Sequence, residues 1–69
     1  MDIRSVVQGR ILEILVTPGQ SVREGDELMI IESMKMEVPV QATHSGTVSA
    51  IHGAVGDPVA EGAVVVVLS

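Results

Sequence analysis

The chain has 69 residues, a formal net charge of -5, no cysteine and no aromatic residue. At that length one small domain, residues 1–69, is the ceiling. Disulfides and thiolate metal sites are excluded, and the core must be assembled from Val, Ile, Leu, Met and Ala. The acidic balance, the scattered Arg4, Arg10 and Arg23 and the missing aromatics argue against nucleic-acid binding. The longest apolar run, Ala63 to Leu68, falls far short of the roughly 20 residues of a membrane-spanning helix. Met1-Asp2-Ile3-Arg4 does not open like a signal peptide, so a cytoplasmic protein is expected.

In chain order, Ile3 to Val7 favours a short strand, broken at Gln8-Gly9. Arg10 to Val16 is rich in β-branched residues with partial alternation and predicts a second strand. Thr17-Pro18-Gly19-Gln20 is a turn, with proline presetting φ and glycine accepting a positive φ after it. Ser21-Val22-Arg23 leaves room for only a very short strand before Glu24-Gly25-Asp26 turns again. Glu27 to Glu32 runs apolar through Leu28, Met29, Ile30 and Ile31, the pattern of a buried strand. Val38 to Ala42 is another strand, and Pro39 places it at a sheet edge or beside a bulge. After a turn at Thr43 to Gly46, Thr47 to Ile51 alternates cleanly. His52 to Pro58 is a loop, Val59 a single apolar anchor, Ala60-Glu61-Gly62 a turn, and Ala63 to Leu68 a closing strand. Gly and Pro interrupt every window long enough for a helix.

An internal repeat organises these elements. A shift of 37 residues places Gly9 on Gly46, Ile14 on Ile51, Gly19 on Gly56, Val22 on Val59, Glu24 on Glu61 and Gly25 on Gly62. The matched glycines fall at turns and the matched apolar residues in strands. Two halves of about four short strands predict an all-β fold of two antiparallel sheets packed face to face, with pseudo-twofold symmetry. The link between the halves is Glu32-Ser33-Met34-Lys35-Met36-Glu37, and its counterpart would lie beyond Ser69. The hexapeptide and the two chain ends therefore occupy symmetry-related places. A tight turn is expected at Lys35 from the repeat alone. No Gly, Asn or Asp stands there, so the turn is a strained one.

Lys35 is the only lysine in the chain. A lysine between glutamates is ordinarily a solvated surface charge, and Met34 and Met36 are residues that a core would also use. A catalytic lysine must shed its proton, which burial or neighbouring cations promote, and Glu32 and Glu37 supply neither. No nucleophile–base arrangement, phosphate loop or metal cluster offers other chemistry, and His44 and His52 read as loop residues rather than ligands. A lysine that is modified rather than catalytic fits better.

Glu32-Ser33-Met34-Lys35-Met36-Glu37 resembles the attachment motif of biotinyl carrier domains, which centres on Met-Lys-Met. Gly9-Arg10-Ile11, Pro18 to Val22, Glu24 to Leu28 and Ser45 to Val48 also resemble segments of that family, so the likeness covers nearly the whole chain. Ser33 departs from the alanine common there, and the chain lacks a Pro/Ala-rich linker and the extra protruding segment of some bacterial carriers. The resemblance implies a flattened barrel of two four-stranded antiparallel sheets with the lysine on a hairpin turn. It implies biotin as cofactor, joined to Lys35 by a biotin protein ligase, with Met34 and Met36 as flanking recognition residues and Glu32 and Glu37 at the motif's edge. It further implies a monomeric carrier without a catalytic site, moving carboxylate between a biotin carboxylase and a carboxyltransferase, as in acetyl-CoA carboxylase. Two alternatives stand beside it: a lipoyl domain, which places Asp before the lysine and a small residue after it, and an unmodified interaction module of the same fold.

Overall fold

The computed structural model describes residues 1–69 and is all-β. The first half forms β1 (Asp2–Arg4), β2 (Gly9–Ile14), β3 (Ser21–Val22) and β4 (Glu27–Ser33). The second forms β5 (Met36–Gln41), β6 (Gly46–Ile51), β7 (Pro58–Val59) and β8 (Val64–Leu68). One sheet runs β1-β8-β6-β3 and the other β5-β4-β2-β7, with every pairing antiparallel. Exchanging each strand with its repeat partner converts one order into the other. The halves are thus interleaved, each sheet taking two strands from each half, and neither half can close a sheet alone.

The backbone hydrogen bonds obey the same twofold. Gly19 N donates to Val48 O at 2.7 Å and Gly56 N to Ile11 O at 2.8 Å, tying each half's turn to the other half's strand. The glycine turns at Thr17–Gln20, Arg23–Asp26, Ala54–Asp57 and Ala60–Ala63 close in matching fashion. Their glycines, Gly19, Gly25, Gly56 and Gly62, have φ of 91°, 91°, 95° and 84°. A side chain at such a φ is strained, so these turns demand glycine.

The core follows the repeat as well. Ile3, Ile11, Val22, Leu28, Met29 and Ile31 pair with Val40, Val48, Val59, Val65, Val66 and Leu68, and all are buried in one cluster. Each fully buried aliphatic side chain contributes about 1.5–3 kcal/mol. Ser5, the one buried polar residue, is the partner of Ala42, and its Oγ donates to Val7 O at 2.6 Å. The exception to the pairing is Val16, whose counterpart is Gly53. There Ile11 Cδ1 lies 2.9 Å from where a Cβ would be, so a neighbour's side chain fills the space.

Some boundaries differ from expectation. The first strand ends at Arg4, not Val7, because Ser5 turns the backbone and Val6 faces solvent. The second ends at Ile14, leaving Leu15 exposed while Val16 returns to the core. Val59 is joined by Pro58 in a two-residue strand rather than standing alone. Pro39 lies on β5, an edge strand, as expected. The chain ends take the place of a hairpin. The Ile31–Val38 pair of β4–β5 has its counterpart in Leu68 and Met1, where Leu68 N donates to Met1 O at 2.8 Å and the amino terminus donates back to Leu68 O.

Gly9 and Gly46 are required for a different reason, close approach. A Cβ on Gly9 would lie 2.1 Å from Glu32 O, and one on Gly46 2.9 Å from Ser69 O. Gly9→Ala is therefore expected to cost about 1–3 kcal/mol by overpacking, and Gly46→Ala less, because the chain end can move. Gly25→Ala meets no neighbour within 4 Å and should lose only the left-handed strain, about 1–2 kcal/mol. Denaturant titration of the three variants checks the order; a Gly9→Ala chain as stable as the parent would contradict it.

Candidate functional site

The hexapeptide forms the tip of the β4–β5 hairpin. Glu32 pairs with Glu37 and Ser33 with Met36, leaving Met34 and Lys35 as a two-residue turn. Their φ values are 52° and 65°. This is the turn class with both central residues left-handed, for which Asn-Gly is preferred. Two L-residues with full side chains cost about 1–2 kcal/mol each there. The cost is met by the arms. On β4, Leu28, Met29 and Ile31 are fully buried, and on β5 Val40 is buried. Several side chains at about 1.5–3 kcal/mol each outweigh the strain at the tip.

The expected site residues lie together on the hairpin. Met34 is 92% exposed and Met36 66%, and Lys35 is exposed between them. Neither methionine is core material, in contrast to Met29 at 0%. Glu37 is exposed beside them. Glu32, however, does not face the amine. Its Oε1 accepts a hydrogen bond from Arg10 Nη2 at 2.8 Å across the β2–β4 register. Lys35 forms no ion pair within 4 Å, so the glutamates frame the motif without holding the amine. His44 and His52 are exposed and remote in role; His44 Nδ1 lies 3.0 Å from Thr43 Oγ1.

Two features of the site were not read from the sequence. One is the Arg10–Glu32 pair. The other is a groove along the hairpin, lined by Val6, Val7, Gln8, Gly9, Ser33, Met34 and Glu61. Val6 is exposed on the loop after β1. A signal existed: the repeat partner of Val6 is Thr43, so an apolar residue stands where the other half has a polar loop.

Two interleaved repeats that hold one unpaired amine on an exposed hairpin are the architecture of a carrier domain, in which the fold presents a residue for attachment. The chain matches the family described as "Biotin-requiring enzyme" over residues 1–68 and belongs to that biotin/lipoyl attachment family. It is 40% identical over 68 residues to a protein of Mycobacterium leprae named biotinylated protein TB7.3 homolog, spanning 99% of this chain and 96% of that one. It is 41% identical over 66 residues to the human mitochondrial propionyl-CoA carboxylase alpha chain, spanning 96% of this chain but 9% of that one. The crystal structure of Kluyveromyces lactis urea carboxylase contains the same fold, with a TM-score of 0.95 and 38% identity, over all of this chain and 6% of that one. The chain thus spans nearly the whole of a small biotinylated protein and a small part of large carboxylases.

Exposure and strain give different outcomes for two substitutions of Met34. Met34→Ala removes no core contact and should leave stability within about 0.5 kcal/mol, against about 2–5 kcal/mol for a core methionine; Met36→Ala should behave alike. Met34→Asn introduces a residue that tolerates the left-handed region and should raise stability by about 1 kcal/mol. Thermal and denaturant unfolding separate the cases, and a Met34→Asn chain less stable than the parent would show that the tip is not strained.

Proposed function

We propose that this chain is a biotin carboxyl carrier, with Lys35 as the residue that takes biotin. Biotin is the cofactor of the family to which the chain belongs. The observation that carries the reading is that the only lysine stands exposed and unpaired at a hairpin tip between two exposed methionines. That geometry fits an amide-linked group. Nothing competes for the amine, and the hairpin projects it away from the core.

In this reading the chain carries and its partners catalyse. A biotin protein ligase docks on Met34 and Met36, whose flexible thioethers pack against differing partner surfaces. A base of the ligase would take the proton from Lys35 Nζ, and the amine would attack the carboxyl carbon of biotinyl-adenylate, forming the amide as the bond to AMP breaks. The amide that forms removes one positive charge, making the formal balance of -5 one unit more negative. Arg10 keeps the Glu32 carboxylate turned toward β2 and leaves Glu37 as the unpaired carboxylate beside the tip. When bound, biotin supplies a ureido nitrogen that accepts and yields a carboxylate. The lysine stem gives it a flexible arm, and tethering raises its concentration at each partner site. A biotin carboxylase and a carboxyltransferase are the partners proposed, by similarity to proteins named propionyl-CoA, pyruvate and urea carboxylase. Cytoplasmic residence belongs to the same proposal.

The test is loading by a biotin protein ligase with biotin and ATP, read by intact mass and streptavidin binding. The parent chain should gain one biotinyl group and Lys35→Arg none, with an unchanged β-rich spectrum. Biotin retained on the Lys35→Arg chain would place the site elsewhere, and a parent chain that is never loaded would overturn the reading.

A further inference from the structure

With no Cys, Trp or Tyr, the four methionines are the chain's main targets for a two-electron oxidant. The fold sorts them sharply. Met29 is fully buried in the core at 0% exposure. Met34 and Met36 flank the attachment lysine with their thioethers in solvent, and Met1 is exposed at the amino terminus. The oxidisable sulfurs are thus concentrated on the one surface that a partner must hold, while the sulfur that supports the fold is shielded.

We propose that Met34 and Met36 are reversible oxidation sites, and that their conversion to sulfoxides by a hydroperoxide slows loading of Lys35. The inference rests on the reading above, in which a ligase docks on these two side chains. In the step, a lone pair of the thioether sulfur attacks the terminal peroxide oxygen and the O–O bond breaks. Sulfur loses two electrons to become the sulfoxide, and hydrogen peroxide leaves as water. Reversal takes two thiols, which become a disulfide as the oxygen departs as water. Each sulfoxide is chiral, so full reversal needs a reductase for each epimer.

The chemical change acts on recognition, not on folding. A sulfoxide replaces a soft apolar side chain with a strong acceptor, which an apolar partner surface cannot satisfy. Met34 also lines the groove shared with Val6 and Val7, so its oxidation adds a polar group beside the two apolar residues of that groove. The fold tolerates this, because neither side chain belongs to the core. Carrier loading would then slow under peroxide while the domain stays folded and ready for repair.

The experiment treats the full apo chain with graded hydrogen peroxide, removes the oxidant and maps oxidation by peptide mass. Untreated and treated chains are then compared for ligase loading and for melting. Met34 and Met36 should oxidise well before Met29. Loading should slow by roughly tenfold or more for the doubly oxidised chain, with melting unchanged and the rate restored by methionine sulfoxide reductases A and B together. In a Met34→Leu, Met36→Leu chain, whatever its own rate, peroxide should make no difference, although Met1 and Met29 remain. Equal loading of oxidised and untreated chains would overturn the inference alone. So would oxidation of Met29 in step with the other two, or a slowing that persists in the double variant. Absence of loading in the untreated chain would overturn the carrier reading, and the inference with it.

Discussion

The place of Lys35 depends on the close passage of β2 beneath the end of β4. At Gly9 a single added carbon would lie 2.1 Å from the carbonyl oxygen of Glu32. One residue on, Arg10 reaches the Glu32 side chain at 2.8 Å. The base of the hairpin is therefore gripped through its backbone and its side chain, two residues before the turn. Further down, the buried Leu28, Met29 and Ile31 fix the register, since a slip by one residue would turn them out to solvent. The symmetric close passage, at Gly46 beneath Ser69, serves the chain ends.

A chain without aromatics or disulfides builds this rigidity by interleaving. Each sheet needs strands from both halves, and each glycine turn bonds across to the other half, so the fold closes only as a whole. The four edge strands are also unsuited to pairing with another chain. β3 and β7 have two residues each, β1 alternates Asp2 and Arg4 about Ile3, and β5 carries Pro39. Short, charged or proline-bearing edges discourage strand addition. Under the proposed function, in which the domain meets more than one partner, that leaves the hairpin as the docking surface.

Much of this was legible in the sequence because the repeat converts local signals into a global one. The glycine turns, the strand order within each half and the symmetry of the chain ends with the hairpin all follow from the shift that sets Gly9 on Gly46. Even the turn at Met34-Lys35, which no residue there announces, came from the repeat. What stayed hidden depends on register between strands. Arg10 and Glu32 lie 22 residues apart, and the β2–β4 pairing shifts between Ile11 and Glu13, which alternation does not reveal. The groove at Val6 was missed because a β-branched residue in the run Ile3 to Val7 reads as strand. The Ser5 hydroxyl, bonding Val7 O, takes the backbone out of the sheet instead. Sequence neighbours are not always spatial ones: Glu32 stands two residues before the turn, yet its carboxylate bonds Arg10 on the adjacent strand.

The tip is the one place where local and global preferences disagree. The four glycine turns each supply glycine where φ is positive, so the chain uses the ordinary turn chemistry wherever folding alone decides. At Met34 and Lys35 the same backbone demand is met by two long side chains, and the apolar one is left almost wholly in water. A sequence under no demand except folding would place Asn-Gly there and bury its methionines. Both departures occur in adjacent residues, and both disappear as anomalies if the side chains at the tip are chosen by what binds them. Local inconsistency confined to one short segment of an otherwise consistent chain is the physical mark of a site. Here it coincides with the only lysine, so the strain, the exposed sulfur and the unpaired amine point to one surface and one role.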